Sequence, residues 1–173
     1  MTLTALLQHT PGYVWGLLAA LTAVGVSQAR DRQVSLTRVT VLPLAMVALS
    51  FIGMFHVFGP TPIALSAWAA GVATALTLGR SAVAVRGASW SEAAARLHVP
   101  GSWLPLALIL ALFCIKYGVG YETAMHPAMM HEAGFSAIIG FAYGLFSGLF
   151  LARGLSLRQV VASRNAAAER AAA

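Results

Sequence analysis

The 173 residues include eleven Lys and Arg but only five Asp and Glu; hydrophobic residues make up 59% and charged residues 9%, and the mean hydropathy is +0.78. A soluble domain normally carries charge on about a quarter of its residues, so this chain cannot cover a water-facing surface. A soluble enzyme, a secreted disulfide scaffold and a nucleic-acid binder are excluded, the last in spite of a pI near 10.5.

What remains is an all-α, polytopic transmembrane bundle. A spanning helix needs about twenty mostly apolar residues, and five segments approach this in chain order: Tyr13 to Ala29, Val39 to Phe58, Ile63 to Leu78, Trp103 to Gly120 and Phe135 to Ala152. Residues 1–152 are therefore expected to form a five-span domain and 153–173 a basic Ala/Arg tail. The first segment also admits a signal-peptide reading, with Ser27-Gln28-Ala29 as the cleavage site. Against it, no Lys or Arg precedes the segment, and cleavage would strand Arg30, Arg32 and Arg38 on the wrong side. The third segment is short, and is extendable through Gly79, Arg80 and Ser81 to Val85 if Arg80 snorkels toward headgroups.

In the connection 79–102, Ser89 and Glu92 have capping-box spacing, which predicts a short helix through Ala93, Ala94, Ala95, Arg96 and Leu97 that ends at Pro100-Gly101. The alternative is a hairpin pairing Val83–Val85 with Leu97–Val99. Trp90 and Trp103 mark the headgroup level. Pro43 and Pro105 lie near the inner ends of the second and fourth segments, as first-turn residues or local kinks. Along the tail, Arg158, Arg164 and Arg170 are six apart, which spreads them around a helix expected to rest on anionic lipid.

Basic residues near span ends set orientation. The ten arginines occupy alternate connections: Arg30, Arg32 and Arg38; Arg80, Arg86 and Arg96; then Arg153, Arg158, Arg164 and Arg170. The expected orientation is N-terminus out and C-terminus in. Cys114, the single cysteine, lies inside the fourth segment and has no intrachain partner.

Inside lipid, helices associate through small residues and polar contacts. Gly140, Gly144 and Gly148 recur every four residues in the fifth segment, and Gly12 and Gly16 begin the first. Such faces serve packing within the chain, a homo-oligomer, or attachment to a larger membrane complex. The runs Gly12-Tyr13-Val14-Trp15-Gly16-Leu17 and Gly140-Phe141-Ala142-Tyr143-Gly144-Leu145 also align, as a duplicated helix would.

The residues able to carry chemistry gather toward the outer side. Lys116, the sole lysine, lies deep in the fourth segment, where an ionisable group is a functional candidate by default. Glu122 or Glu132 would neutralise it, and His126 and His131 would gate or select; the alternative is a lysine that snorkels outward beside Tyr117 and Tyr121. The run Met125-His126-Pro127-Ala128-Met129-Met130-His131-Glu132 mixes thioethers, imidazoles and a carboxylate. Thioether with imidazole suits copper, and imidazole with carboxylate suits zinc; His56, His126, His131, Met129 and Met130 are the candidate ligands. Opposed His56 and His126 would suit b-type haem. No cofactor is required by the sequence, and without CxxCH covalent haem is excluded. GxSxG, HExxH and Walker motifs are also missing, which argues against an enzyme.

A combined pattern runs through nearly the whole chain: His9-Thr10-Pro11, Gln28-Ala29-Arg30, Val34-Ser35 with Arg38, Leu42-Pro43-Leu44, Pro100-Gly101-Ser102-Trp103-Leu104-Pro105-Leu106, Lys116-Tyr117 and Tyr143-Gly144-Leu145-Phe146-Ser147-Gly148. It resembles an uncharacterised family of small bacterial multi-span membrane proteins. The resemblance implies an inner-membrane location and a helical fold, and carries no functional residue over. Three working functions follow: transport or sensing of a small solute or ion from the periplasmic side, an accessory subunit of a larger membrane complex, and a metal- or haem-handling membrane protein.

Overall fold

In a computed structural model, which describes residues 12–91 and 96–172, helices dominate. They are α1 (Gly12–Ser27), α2 (Leu36–Phe58), α3 (Pro62–Thr77), α4 (Arg80–Val83), α5 (Leu104–Met125) and α6 (Ala133–Ala172), with a 3-10 turn at Pro127–His131. Three short strands, β1 (Arg32–Val34), β2 (Ser89–Ser91) and β3 (Arg96–Val99), complete the described residues. Helices α2, α5 and α6 are long and apolar enough to cross a membrane, while α1 and α3 are apolar helices of 16 residues each. At 1.5 Å per residue the latter two reach about 24 Å, against a hydrocarbon core of about 30 Å. His9 and the Glu92 to Ala95 part of the expected loop helix lie outside the described residues.

Local chemistry explains most boundaries. Ser35 has an extended backbone and its hydroxyl accepts from the Arg38 N–H at 3.4 Å, which starts α2. The helix ends at Gly59, whose φ of 63° is costly for any residue with a Cβ, and whose N–H donates to the Phe55 carbonyl at 2.8 Å. Pro62 then occupies the first turn of α3, where its missing N–H costs nothing. Pro105 does the same for α5. Pro43 lies inside α2, and Gly154 of α6 seats against its ring and the Val39 carbonyl.

Helix α6 is the organising element. Its 40 residues extend about 60 Å, twice the hydrocarbon thickness, so the fifth span and the tail form one helix rather than a span that stops at Ala152. Its N-terminal half packs on α3 through backbone contacts: added Cβ atoms at Gly140 and Gly148 would come within 2.7 Å of the Ala64 carbonyl and 2.8 Å of the Val72 carbonyl, while Gly144 abuts the Trp68 carbonyl still more closely. Gly71 of α3 returns the fit against Phe141 and Leu145. The glycine face of α6 is thus occupied within the chain. Gly12 and Gly16 have open space around them.

The connection 79–102 departs from the expected helix. Ser89 opens a strand, not a capping box, and the antiparallel sheet has the order β1-β3-β2. The hairpin alternative is closer, but its first strand lies at Ser89–Ser91, because Val83 closes the short helix α4. Burial decides the matter. Leu97 and Val99 are 0% and 2% exposed, whereas Arg96 and His98 point away, a period of two that only a strand can satisfy. Val34, Leu97 and Trp90 share one rung and pack with Leu157 and Val161 of α6. The sheet therefore caps one end of the bundle.

Pairing of β1 with β3 also fixes helix directions. Helix α2 follows β1 and α5 follows β3 after a short loop, so both begin at the sheet end. Helix α3 is the segment that returns the chain from the far end.

Candidate functional site

The polar centre of the bundle is built where α2, α3, α5 and α6 meet. Ser50, 5% exposed, donates its hydroxyl to the Tyr143 carbonyl at 3.0 Å and accepts from Trp68 Nε1 at 3.3 Å. Ser147 donates to the same carbonyl at 2.8 Å. The Ser147 bond lies within α6, whereas the two Ser50 bonds cross between helices and hold α2, α3 and α6 in register. Apolar side chains enclose them: Met54 and Ala64 are fully buried, and Leu112, Ile115 and Ile139 pack alongside.

Lys116 adds the charge. Its Nζ stands 5.0 Å from the centroid of the Tyr143 ring, within cation–π range. It also lies 2.8 Å from the point that a Cβ on Gly53 would occupy. Glycine at 53 therefore leaves the ammonium room between α2 and the ring. About 18 Å of helix separates Lys116 from the start of α5, deep within an apolar segment, and the residue keeps an exposed surface there. Among the described residues no carboxylate lies within ion-pair distance of it; the carboxylates that meet a basic side chain are Asp31, 3.9 Å from His98, and Glu122, 3.3 Å from His126.

The expected outer site is accordingly split. Glu122, on the last turn of α5, pairs with His126 rather than with Lys116, and His126 also closes the helix by donating its N–H to the Glu122 carbonyl at 2.8 Å. Met129, Met130 and His131 lie on the 3-10 turn, with His131 exposed. Glu132 immediately precedes α6, its carbonyl accepting from the Ser136 hydroxyl at 2.9 Å. His56 is exposed near the end of α2. Among the described residues no three of His, Cys, Asp and Glu assemble into a metal-binding group.

Ser50, Gly53, Trp68, Tyr143 and Ser147 are the members of this centre that sequence reasoning overlooked as a site. A signal was present: Ser50 and Gly53 interrupt the apolar run from Leu44 to Phe55, and a hydroxyl at that depth needs a partner from another helix.

The chain belongs to DUF6622, a family of unknown function, whose model matches residues 1–168. Searches of curated proteins and of solved structures find no match.

Proposed function

We propose that the chain is a five-span protein of the bacterial inner membrane, N-out and C-in, that senses or moves a small anionic solute entering from the periplasmic side, with Lys116 as the charge that receives it. The observation carrying this reading is the placement of Lys116 Nζ over the Tyr143 ring and against Gly53, with no carboxylate partner among the described residues. A cation held at membrane depth is costly, and a diffusible anion would supply the counter-charge that Glu122 and Glu132 do not. Hydroxyl and indole groups at Ser50 and Trp68 keep the surrounding helices fixed while the solute comes and goes.

Two observations support the span count. Helices α2 and α5 both start at the sheet end, so α3 must return between them if both cross. Helix α1 runs beside α5, with Gly25 packed on Leu106, and its end is tied to the sheet end by the Ser102 N–H donating to the Gln28 carbonyl at 3.0 Å. The arginines of the sheet end and of α6 beyond it support the orientation.

Proteoliposomes loaded with an anion-sensitive dye test the function. Chloride, acetate and inorganic phosphate are the probes, and at least one should enter faster through wild-type protein than through Lys116→Met, with Lys116→Arg intermediate. Equal flux through wild type and a folded Lys116→Met protein would remove Lys116 from the function.

A further inference from the structure

The sheet end holds a second concentration of charge, separate from Lys116. A polar-lined cleft is bounded by Ala84, Val85 and Arg86 on one side, Pro100, Gly101 and Ser102 on another, and Arg153 of α6. Arg153 is half-buried and donates to the Val83 carbonyl at 3.4 Å, which holds its guanidinium beside the turn carrying Arg86. Arg32 lies near by on β1. Its Nη2 donates to Gln28 at 2.9 Å, and the Gln28 carbonyl in turn receives the N–H of Ser102 on the cleft wall. Arg32 stands within electrostatic range of both Arg38 and Arg153. Burial, and then the charge of Arg38, pushes the Arg32 guanidinium below its ordinary pKa.

Two arginines, half-buried Arg153 and exposed Arg86, thus line the cleft with Arg32 near by, and among the described residues a single carboxylate stands close to them. That carboxylate, Asp31, is held at the cleft wall, one oxygen accepting the Gly101 N–H at 2.7 Å and the other facing His98 at 3.9 Å, so it offsets one of the positive charges and leaves a net positive cleft. The level of the cleft is equally informative. It lies where α1 has just ended at Ser27 and α5 is about to begin at Leu104, the boundary at which hydrocarbon gives way to headgroups.

We infer that this cleft binds the phosphate of an anionic lipid headgroup, with Arg153 and Arg86 as its charged ligands, Arg32 adding positive potential from β1, and the acyl chains lying along the exposed apolar faces of the bundle. Arginine suits this task because its planar fork matches phosphate oxygens. The inference rests on the membrane placement proposed above but not on any role of Lys116.

Native mass spectrometry of the full chain in mild neutral detergent tests it, titrating phosphatidylglycerol, phosphatidylcholine and inorganic phosphate separately. Phosphatidylglycerol should bind more tightly than phosphatidylcholine. Arg86→Gln and Arg153→Gln should each weaken it about fivefold, the usual effect of removing one basic group near an anionic surface, while exposed Arg164→Gln and also Lys116→Met leave it unchanged. Because Arg153 also braces Val83, Arg86→Gln on the exposed turn serves if Arg153→Gln does not fold. Wild-type affinity in Arg86→Gln would overturn the site. Saturation by inorganic phosphate that Arg86→Gln weakens and Lys116→Met does not, with no preference between the two lipids, would overturn the lipid assignment and leave a free-phosphate site.

Discussion

Lys116 Nζ fills the space that a side chain on Gly53 would take, 2.8 Å from the position of the absent Cβ. The two residues lie on different helices, so the choice of glycine on α2 governs where the charge on α5 can rest. A methyl group at 53 would meet the far end of a flexible side chain rather than rigid backbone, and the ammonium would move off the Tyr143 ring with little cost to the fold.

That displacement is directly measurable because Lys116 is the sole lysine. Reductive methylation with carbon-13 formaldehyde keeps the positive charge and gives one dimethyl-lysine signal. In wild-type protein this signal should be shifted upfield by the Tyr143 ring current. Gly53→Ala and Tyr143→Leu should both return it toward the random-coil position. An identical shift in all three proteins would mean that the ammonium does not lie over the ring.

The α3–α6 seam gives a stability prediction with an internal control. Gly144 abuts the Trp68 carbonyl, a backbone atom that cannot step aside, whereas Gly16 has open space around it. Overpacking of this kind costs about 1–3 kcal/mol, occasionally more. Thermal unfolding in mild detergent should show Gly144→Val strongly destabilised and Gly16→Val close to wild type. Equal stability of the two variants would contradict the seam, and a selective loss of complex formation in folded Gly144→Val would return that face to a partner.

Much of this seam was legible in the sequence. A four-residue glycine repeat inside an apolar run has few uses other than close helix approach, and Gly140, Gly144 and Gly148 announce it without help. The sheet was not legible in the same way. Strand β1 is three residues between two helices, and its partner β3 lies more than sixty positions later, so no local pattern joins Val34 to Leu97. At Ser89 and Glu92 a local capping signal competes with burial of Leu97 and Val99 on α6, and the long-range apolar contact prevails. The site shows the same division. Lys116 stands out as a lone cation in an apolar helix, whereas Tyr143 and Gly53 acquire meaning only when α5, α6 and α2 are placed side by side.

Ser50 offers a test of the polar centre independent of Lys116. It donates to the Tyr143 carbonyl and accepts from Trp68. Interhelical bonds of this type inside membranes contribute about 0.6 kcal/mol on average and about 1.7 at most. Ser50→Ala should fall toward the upper end of that range, since it leaves the Trp68 N–H without its acceptor, and Ser50→Thr should recover part of the loss. Trp68→Phe in the Ser50→Ala background should then cost less than it does in wild type. Strict additivity in this double-mutant cycle would show that the two side chains are not coupled.

Span count and orientation can be decided with the chemistry of one thiol. Cys114 is the only cysteine, so Cys114→Ser provides a silent background in which single cysteines report their side of the membrane. Ala128 is exposed on the 3-10 turn, Arg170 is exposed near the end of α6, and Gly12 begins α1 in open space. In intact spheroplasts a membrane-impermeant maleimide should label Ala128→Cys and Gly12→Cys, and should reach Arg170→Cys only after permeabilisation. The Gly12 result is the discriminating one, because α1 is about 24 Å long and crosses only if the bilayer thins locally or flanking residues reach outward. Labelling of Gly12→Cys from the same side as Arg170→Cys would make α1 a surface-lying or re-entrant helix beside α5. The protein would then have four spans, with the Gly25–Leu106 contact serving to dock α1 instead of to pack two spans.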